Sequence, residues 1–447
     1  MAASEGCRKT VSLSFQTNPL PNTIMSIMCR PTLVQRLVSL SIGFLLTAGA
    51  IQAQSTRPRR ANKQSTQKTT SQASDPLLRP EPAPSPTARR TSPNDPLLDV
   101  QPVKPVVNTV APADTKHAYL LLEQKQFAAA AKEAKELAES HPNDPEAWKI
   151  AGFAELNLKQ YADAAKDLEK AVELQRQSKQ GDPNTESALA QAYVFSEKYQ
   201  EALPLLVSAT QNTGGHPDPL MLYYRGISEY KTGKTADAEK TFNEVVKVNP
   251  KDSLSLYYLA QIALGKNDLD TAIATLNRAT VNDPRLTGAW TLLTTAYLRR
   301  AATSSDPAKA EADYLSAVRA GEGLIKLRTD AEAVTLFGQA LIGSKQYPRA
   351  AAALERVSTT PEATGVTFYL LGVANSRANN FPKAIAALET AAKKSPDDVN
   401  VYRELGYAYE VTKQYAKALA AYQKGAALAP SDPDFKESIE RVKPFAK

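Results

Sequence analysis

Cysteine is almost missing: the 447 residues hold two, Cys7 and Cys29, and both precede an apolar stretch. With that stretch removed, the chain has no disulfide framework, no thiolate nucleophile and no cysteine metal site. Histidine is nearly as scarce. His117, His141 and His216 stand alone in separate segments, none four residues from another, so no helical pair exists to hold a metal. Without a downstream thiol or a paired histidine, a hydrolase has little to build from, and the chain is expected to be non-enzymatic with no cofactor. A phosphate-binding loop is also lacking. Lys231-Thr232-Gly233-Lys234-Thr235 has Ser228 where the earlier glycine belongs and no strand before it, so it reads as a turn between two helices. Glycine is sparse and nothing suggests a strand-rich fold. Alanine, leucine, lysine and glutamate dominate from about Asp114 onward, which favours helices throughout. The many serines and acidic residues read as solvating groups on exposed helix faces.

The net charge of +7 is unevenly placed. Residues 1–113 carry 13 Lys and Arg against 5 Asp and Glu, whereas residues 114–447 carry 41 against 42. The basic pI therefore belongs to the N-terminal segment, and the larger part has no electrostatic reason to seek nucleic acid.

That segment has the layout of an export signal. Arg30 and Arg36 form a short basic region, Leu37 to Ile51 is apolar, and Ala48-Gly49-Ala50 offers an A-x-A site; cleavage after Ala53 fits as well. Residues 1–53 are thus expected to be a signal peptide, with Met28 the better-placed start. The alternative is an uncleaved membrane anchor at 37–56, an uncharged run of 20 residues. The basic residues that follow it, Arg57, Arg59, Arg60, Lys63 and Lys68, would then hold the repeats on the cytoplasmic side. Residues 54–113 hold 11 prolines, 13 Ser and Thr and no aromatic residue, so they are expected to form a disordered basic linker. Within it, Ser74-Asp75-Pro76-Leu77-Leu78 echoes Asn94-Asp95-Pro96-Leu97-Leu98.

From Asp114 the sequence repeats itself. Small residues stand at Ala118, Gly152, Ala190, Gly226, Ala260, Thr294, Gly338, Gly372 and Gly406, with successive spacings of 34, 38, 36, 34, 34, 44, 34 and 34. Trp148, Ala151, Tyr161, Ala164, Leu168 and Ala171 accompany Gly152, as Tyr402, Leu405, Tyr409, Tyr415, Ala418 and Tyr422 accompany Gly406. Small residues let two antiparallel helices approach while large ones fill the gaps beside them. Pro250, Pro284, Pro396 and Pro430 end the second helix of a pair. The spacing of 44 is expected to lengthen both helices of the sixth pair, with Asp306-Pro307 starting the second and Ala310, Tyr314, Ala317 and Gly321 along one side. Asp432-Pro433 opens a last helix, residues 431–447, with Phe435, Ile439 and Val442 on one face.

This pattern resembles the tetratricopeptide repeat family over nearly all of 114–430. The resemblance implies an all-α, right-handed solenoid of about nine helical hairpins, capped at its C-terminal end and preceded by the linker. It also implies a concave groove lined by the first helix of each hairpin. Carried over unit by unit, the groove positions hold Tyr119, Phe153, Gln191, Tyr223, Tyr230, Tyr257, Gln261, Gln339, Tyr369, Arg403 and Tyr407, a tyrosine- and glutamine-rich set suited to an extended peptide. The family's carboxylate clamp needs Lys and Asn together; Lys149 stands at one such position, but Phe153 takes the place of the Asn. The expected function is a scaffold exported to the periplasm or cell envelope of a bacterial-type cell, binding a protein or peptide in its groove. Nucleic acid is not an expected partner, and the membrane is touched only by an uncleaved N-terminal segment. Two alternatives share the fold: a membrane-anchored adaptor facing the cytoplasm, and an accessory subunit of an envelope polymer synthesis or secretion complex.

Overall fold

The computed structural model describes residues 115–211 and 217–446. The signal and anchor segments, the proline-rich linker, Asp114 and His216 lie outside the described residues. Among the described residues nine helical hairpins follow one another. The first three are α1 (Lys116–Glu123) with α2 (Phe127–Ser140), α3 (Pro145–Asn157) with α4 (Tyr161–Gln177), and α5 (Pro183–Phe195) with α6 (Tyr199–Gln211). Next come α7 (Pro219–Lys231) with α8 (Thr235–Val248), α9 (Ser253–Gly265) with α10 (Leu269–Asn282), and α11 (Thr287–Thr303) with α12 (Pro307–Ile325). The last three are α13 (Ala331–Gly343) with α14 (Tyr347–Val357), α15 (Gly365–Arg377) with α16 (Phe381–Lys394), and α17 (Val399–Val411) with α18 (Tyr415–Leu428). A single helix, α19 (Pro433–Val442), closes the array.

Local chemistry sets the helix ends. Asp144, Asp182, Asp218 and Asp398 each cap the first helix of a hairpin, and Asp432 caps α19, by accepting the backbone N–H two residues on, and all but Asp398 are followed by proline at the first helical position. Eight of the nine first helices stop alike. A residue in the left-handed region (Lys125, Lys159, Glu197, Gly233, Asn267, Lys345, Asn379 or Lys413) reverses the chain. The next N–H reaches back five residues, as from Gln160 to the Glu155 carbonyl at 2.9 Å, which satisfies a carbonyl the helix leaves open. The Lys231–Thr235 segment is one of these turns, with Gly233 at φ +81°. Pro250, Pro284, Pro396 and Pro430 each follow the last residue of a second helix by two.

The repeated small residues are where paired helices touch. A side-chain carbon at Gly226 would lie 2.7 Å from the Phe242 ring, and one at Gly338 would lie 2.8 Å from Leu354. In both pairs the large partner comes sixteen residues later, in the second helix. The two layers differ in burial. Ten of the thirteen residues of α15 are buried, against four of the fourteen in α16. The first helices are wedged between both neighbours, while the second helices bury one stripe and face solvent with the rest. Among the described helices every extensive contact is made one or two positions apart in the chain, as stacking of repeats requires.

The sixth hairpin lengthens as expected: α11 has 17 residues where most first helices have 13, and α12 has 19 where most second helices have 14. Its extra turn is anchored. Arg300 holds Asp313 of the same hairpin at 2.7 and 2.8 Å and Asp270 of the preceding one at 2.5 Å, and Arg299 reaches Asn267 at 2.9 Å. At the C-terminal end Phe435 and Val442 are buried and Ile439 packs against the same cluster, so α19 caps the last hairpin.

One expectation is corrected. Glu155, Asp167, Glu229, Asp313 and Glu404 are not on solvated faces; each is less than 8% exposed. Their helices turn that side to a neighbouring helix, and each sits beside a cation or hydroxyl there: Lys135 for the first two, Arg225 and Thr241, Arg300 and Arg377 for the others. Side chains that alternate charge along a helix do not reveal which face the next repeat will cover.

Candidate partner-binding face

The inner face is built from the first helices, whose registers repeat with the small residue. Three residues before it stand Lys149, Tyr223, Tyr257, Tyr369 and Arg403; one residue after it stand Tyr119, Phe153, Gln191, Gln261, Gln339 and Tyr407. The structure divides these candidates. Phe153, Gln191, Tyr223, Tyr257, Gln339 and Tyr369 are buried, because adjacent first helices lie close enough to cover them. Tyr119, Tyr230, Gln261, Arg403 and Tyr407 are half-buried and reach solvent.

Several candidates are engaged within the array. Tyr223 lies among the rings of Tyr224, Phe242 and Tyr258, and Tyr230 meets Tyr258 edge-on with centroids 5.5 Å apart. Arg403 reaches Asp432 at 2.5 Å and Asp434 at 3.3 Å and lies over the Phe435 ring at 4.8 Å, so it ties α17 to the capping helix. Tyr407 faces Phe381 edge-on, with the Arg377 guanidinium 5.9 Å from its centroid. Burial, helped by nearby Glu404, drives the Tyr369 phenol well above its ordinary value and keeps it neutral. Lys149 is committed to Glu146 at 3.1 Å and Asp182 at 3.2 Å.

The register one residue past the small position carries a pattern that reading candidates singly does not reveal. In the odd-numbered hairpins it holds Tyr119, Gln191, Gln261, Gln339 and Tyr407. In the even-numbered hairpins it holds Phe153, Ile227, Thr295 and Val373, and Thr295 spends its hydroxyl on the Thr291 carbonyl at 2.9 Å. Hydrogen-bonding and apolar side chains thus alternate from one hairpin to the next. The three glutamines share a second property. The amide oxygens of Gln191, Gln261 and Gln339 are shielded from water, and no donor among the described residues reaches them. Gln191 does donate, to the Tyr224 hydroxyl at 3.2 Å.

Outside this face, a cleft of about 640 Å³ lies between α6, α7 and α8, walled by Leu203, Pro204 and Val207 and floored by Arg225 and Glu229. Among the described residues no three His, Cys, Asp or Glu side chains gather as a metal site. No helix there is long and apolar enough to cross a membrane.

Comparison with known proteins agrees with the geometry. A family model described as tetratricopeptide repeat matches residues 115–182, 187–243, 223–286 and 369–433, together more than half of the chain. No curated protein matches. Similar solved structures include YrrB, described as a TPR protein with an unusual peptide-binding site, at 17% identity and TM-score 0.36, covering 45% of this chain and 97% of that one. The C-terminal part of a TPR repeat-containing protein from Cytophaga hutchinsonii matches at 18% identity and TM-score 0.43, covering 56% of this chain and 98% of that one. A tetratricopeptide repeat protein from Parabacteroides merdae ATCC 43184 matches at 12% identity and TM-score 0.38, covering 58% of this chain and 98% of that one.

Proposed function

Since the chain belongs to the tetratricopeptide repeat family, a fold that supports protein–protein interaction, we propose that it is a non-catalytic scaffold holding an extended peptide segment of another protein against its inner face. The observation that carries this reading is the alternating register, with its three shielded glutamine oxygens. A buried acceptor with no donor costs about 1–3 kcal/mol, and rotation of each amide toward the inner face would let a bound backbone's N–H groups relieve that cost. The apolar residues of the even hairpins would meet side chains between those bonds. The basic region, apolar run and A-x-A site before Ile51 support an exported protein working in the cell envelope. An N-terminal residue of Ile51 or Gln54 in the mature protein, read by mass spectrometry, is the expected result; a retained apolar run would favour the anchored alternative.

Glutamine substitutions test the binding site in a way that separates it from the core. Gln261→Leu and Gln339→Leu are expected to leave the free array as stable as before or more so, since each removes a buried group with an unmet acceptor. Binding of the protein captured by photo-cross-linking from position 261 is expected to weaken roughly tenfold per substitution, the effect of about one lost hydrogen bond. Cross-linking from exposed Val281 on the outer layer is the control. Equal capture from both positions, or unchanged affinity in both leucine variants, would sink the reading.

A further inference from the structure

The Glu155–Asp167 pair, between α3 and α4, has more acid than base around it. Glu155 is 1% exposed and Asp167 4%, and their carboxyl groups lie within hydrogen-bonding reach of each other. One cation serves both. Lys135 of α2, in the first hairpin, contacts Glu155 directly and stands 3.8 Å from Asp167. The other charged groups facing the pair come from α4: Asp163 adds to the negative charge, and Lys166 acts on Asp167. Glu155 Oε2 and Asp167 Oδ2 are both shielded, and neither has a donor among the described residues. With both acids ionised, this dry seam would hold two negative charges against one positive; a proton retained between the carboxyls balances it.

We propose that this shared proton latches the first hairpin onto the second, so that α1 and α2 dock when the pair is protonated and loosen when it is not. Lys135 is 42% exposed on its side chain and is the cation that the first hairpin brings to the pair, so water enters most readily between α2 and the two helices behind it. The described array begins with this hairpin, which contacts a neighbour on one side only. Its undocking therefore leaves the hairpins beyond it intact.

The pH window follows from the direction of the shift. Burial, with the charge of Asp167, outweighs Lys135 and pushes the Glu155 carboxyl from 4.5 up to about 7. Between those values the docked state keeps a proton that the opened state has released. Docking is therefore strongest at the acid end, weakens as pH rises through the window, and levels off above about 7. Hairpin 4 supplies the internal contrast. Glu229 occupies the same register as Glu155, but Thr241 stands where Asp167 does and Arg225 holds the carboxylate at 2.8 Å, so acid and base balance.

Hydrogen exchange on the intact protein from pH 5 to 8.5, corrected for intrinsic amide rates, reads the latch directly. Protection across 116–140 is expected to fall about tenfold to a hundredfold between pH 5 and 7.5, since each pH unit in the window changes the opening equilibrium by up to about tenfold. Protection in α17 and α18 should hold. Glu155→Gln, which mimics the protonated acid, is expected to keep 116–140 protected throughout; Glu229→Gln should leave the wild-type response in place. Carbon-13 titration of the wild-type carboxyls needs no variant to fold, and one group titrating well above the glutamate range is expected. Flat protection in 116–140, a parallel fall in α17 and α18, a response surviving in Glu155→Gln, or carboxyls that all titrate below about pH 5.5 would each overturn the latch.

Discussion

The two layers of the array are made from one repeated sequence pattern, yet they respond to change differently. The first helices are enclosed, so their polar groups must find partners inside the protein. The Arg377–Glu404 pair shows the demand: Glu404 is fully buried and takes two hydrogen bonds from the guanidinium at 2.9 and 3.0 Å, joining α15 to α17. The second helices turn most of their length to water, and Val281 on α10 stands 78% exposed without forming part of any core cluster. Burial of the first layer, more than composition, decides where a substitution is costly.

The sharpest way to break this comparison is Arg377→Ala. It strands a buried carboxylate and should cost about 3–5 kcal/mol, read from urea unfolding together with hydrogen exchange in hairpins 8 and 9. A loss under about 1 kcal/mol would mean the inner layer admits water more freely than its burial implies. Gly226→Ala comes next. The added carbon would press on Phe242 at 2.7 Å, and overpacking of this kind costs about 1–3 kcal/mol. The smallest effect is expected on the outer layer: Val281→Ser should stay within about 0.5 kcal/mol of the parent. A larger loss there would show that the second helices are covered in solution.

The repeat itself was legible because period and residue size report it directly. Small residues recurring at intervals near 34 with large ones at fixed offsets, and Asp-Pro ahead of a helical stretch, are local signals, and they located the hairpins, the capping helix and the long sixth unit. The inner face was less legible. Tyr369 and Tyr407 both read as groove residues, yet the first is buried and the second half-exposed. The difference depends on how closely neighbouring first helices approach, which is set by side chains in other repeats. Glu155 and Asp167 were hidden for a related reason. They lie twelve residues apart on different helices, and the lysine between them comes from the hairpin before. The alternation of polar and apolar residues was present in the sequence all along, but it emerges only when one register is compared across nine units.

The restriction of contacts to helices one or two positions apart has a mechanical consequence. Tension applied across the described array is borne in series, because no extensive contact there joins helices further apart. Hairpins should yield one at a time, each releasing roughly 110 Å of contour for a 34-residue unit at ~3.3 Å per residue. The sixth unit, with its longer span, should give a longer step. Under load the array would lengthen as a graded spring rather than part as a clasp.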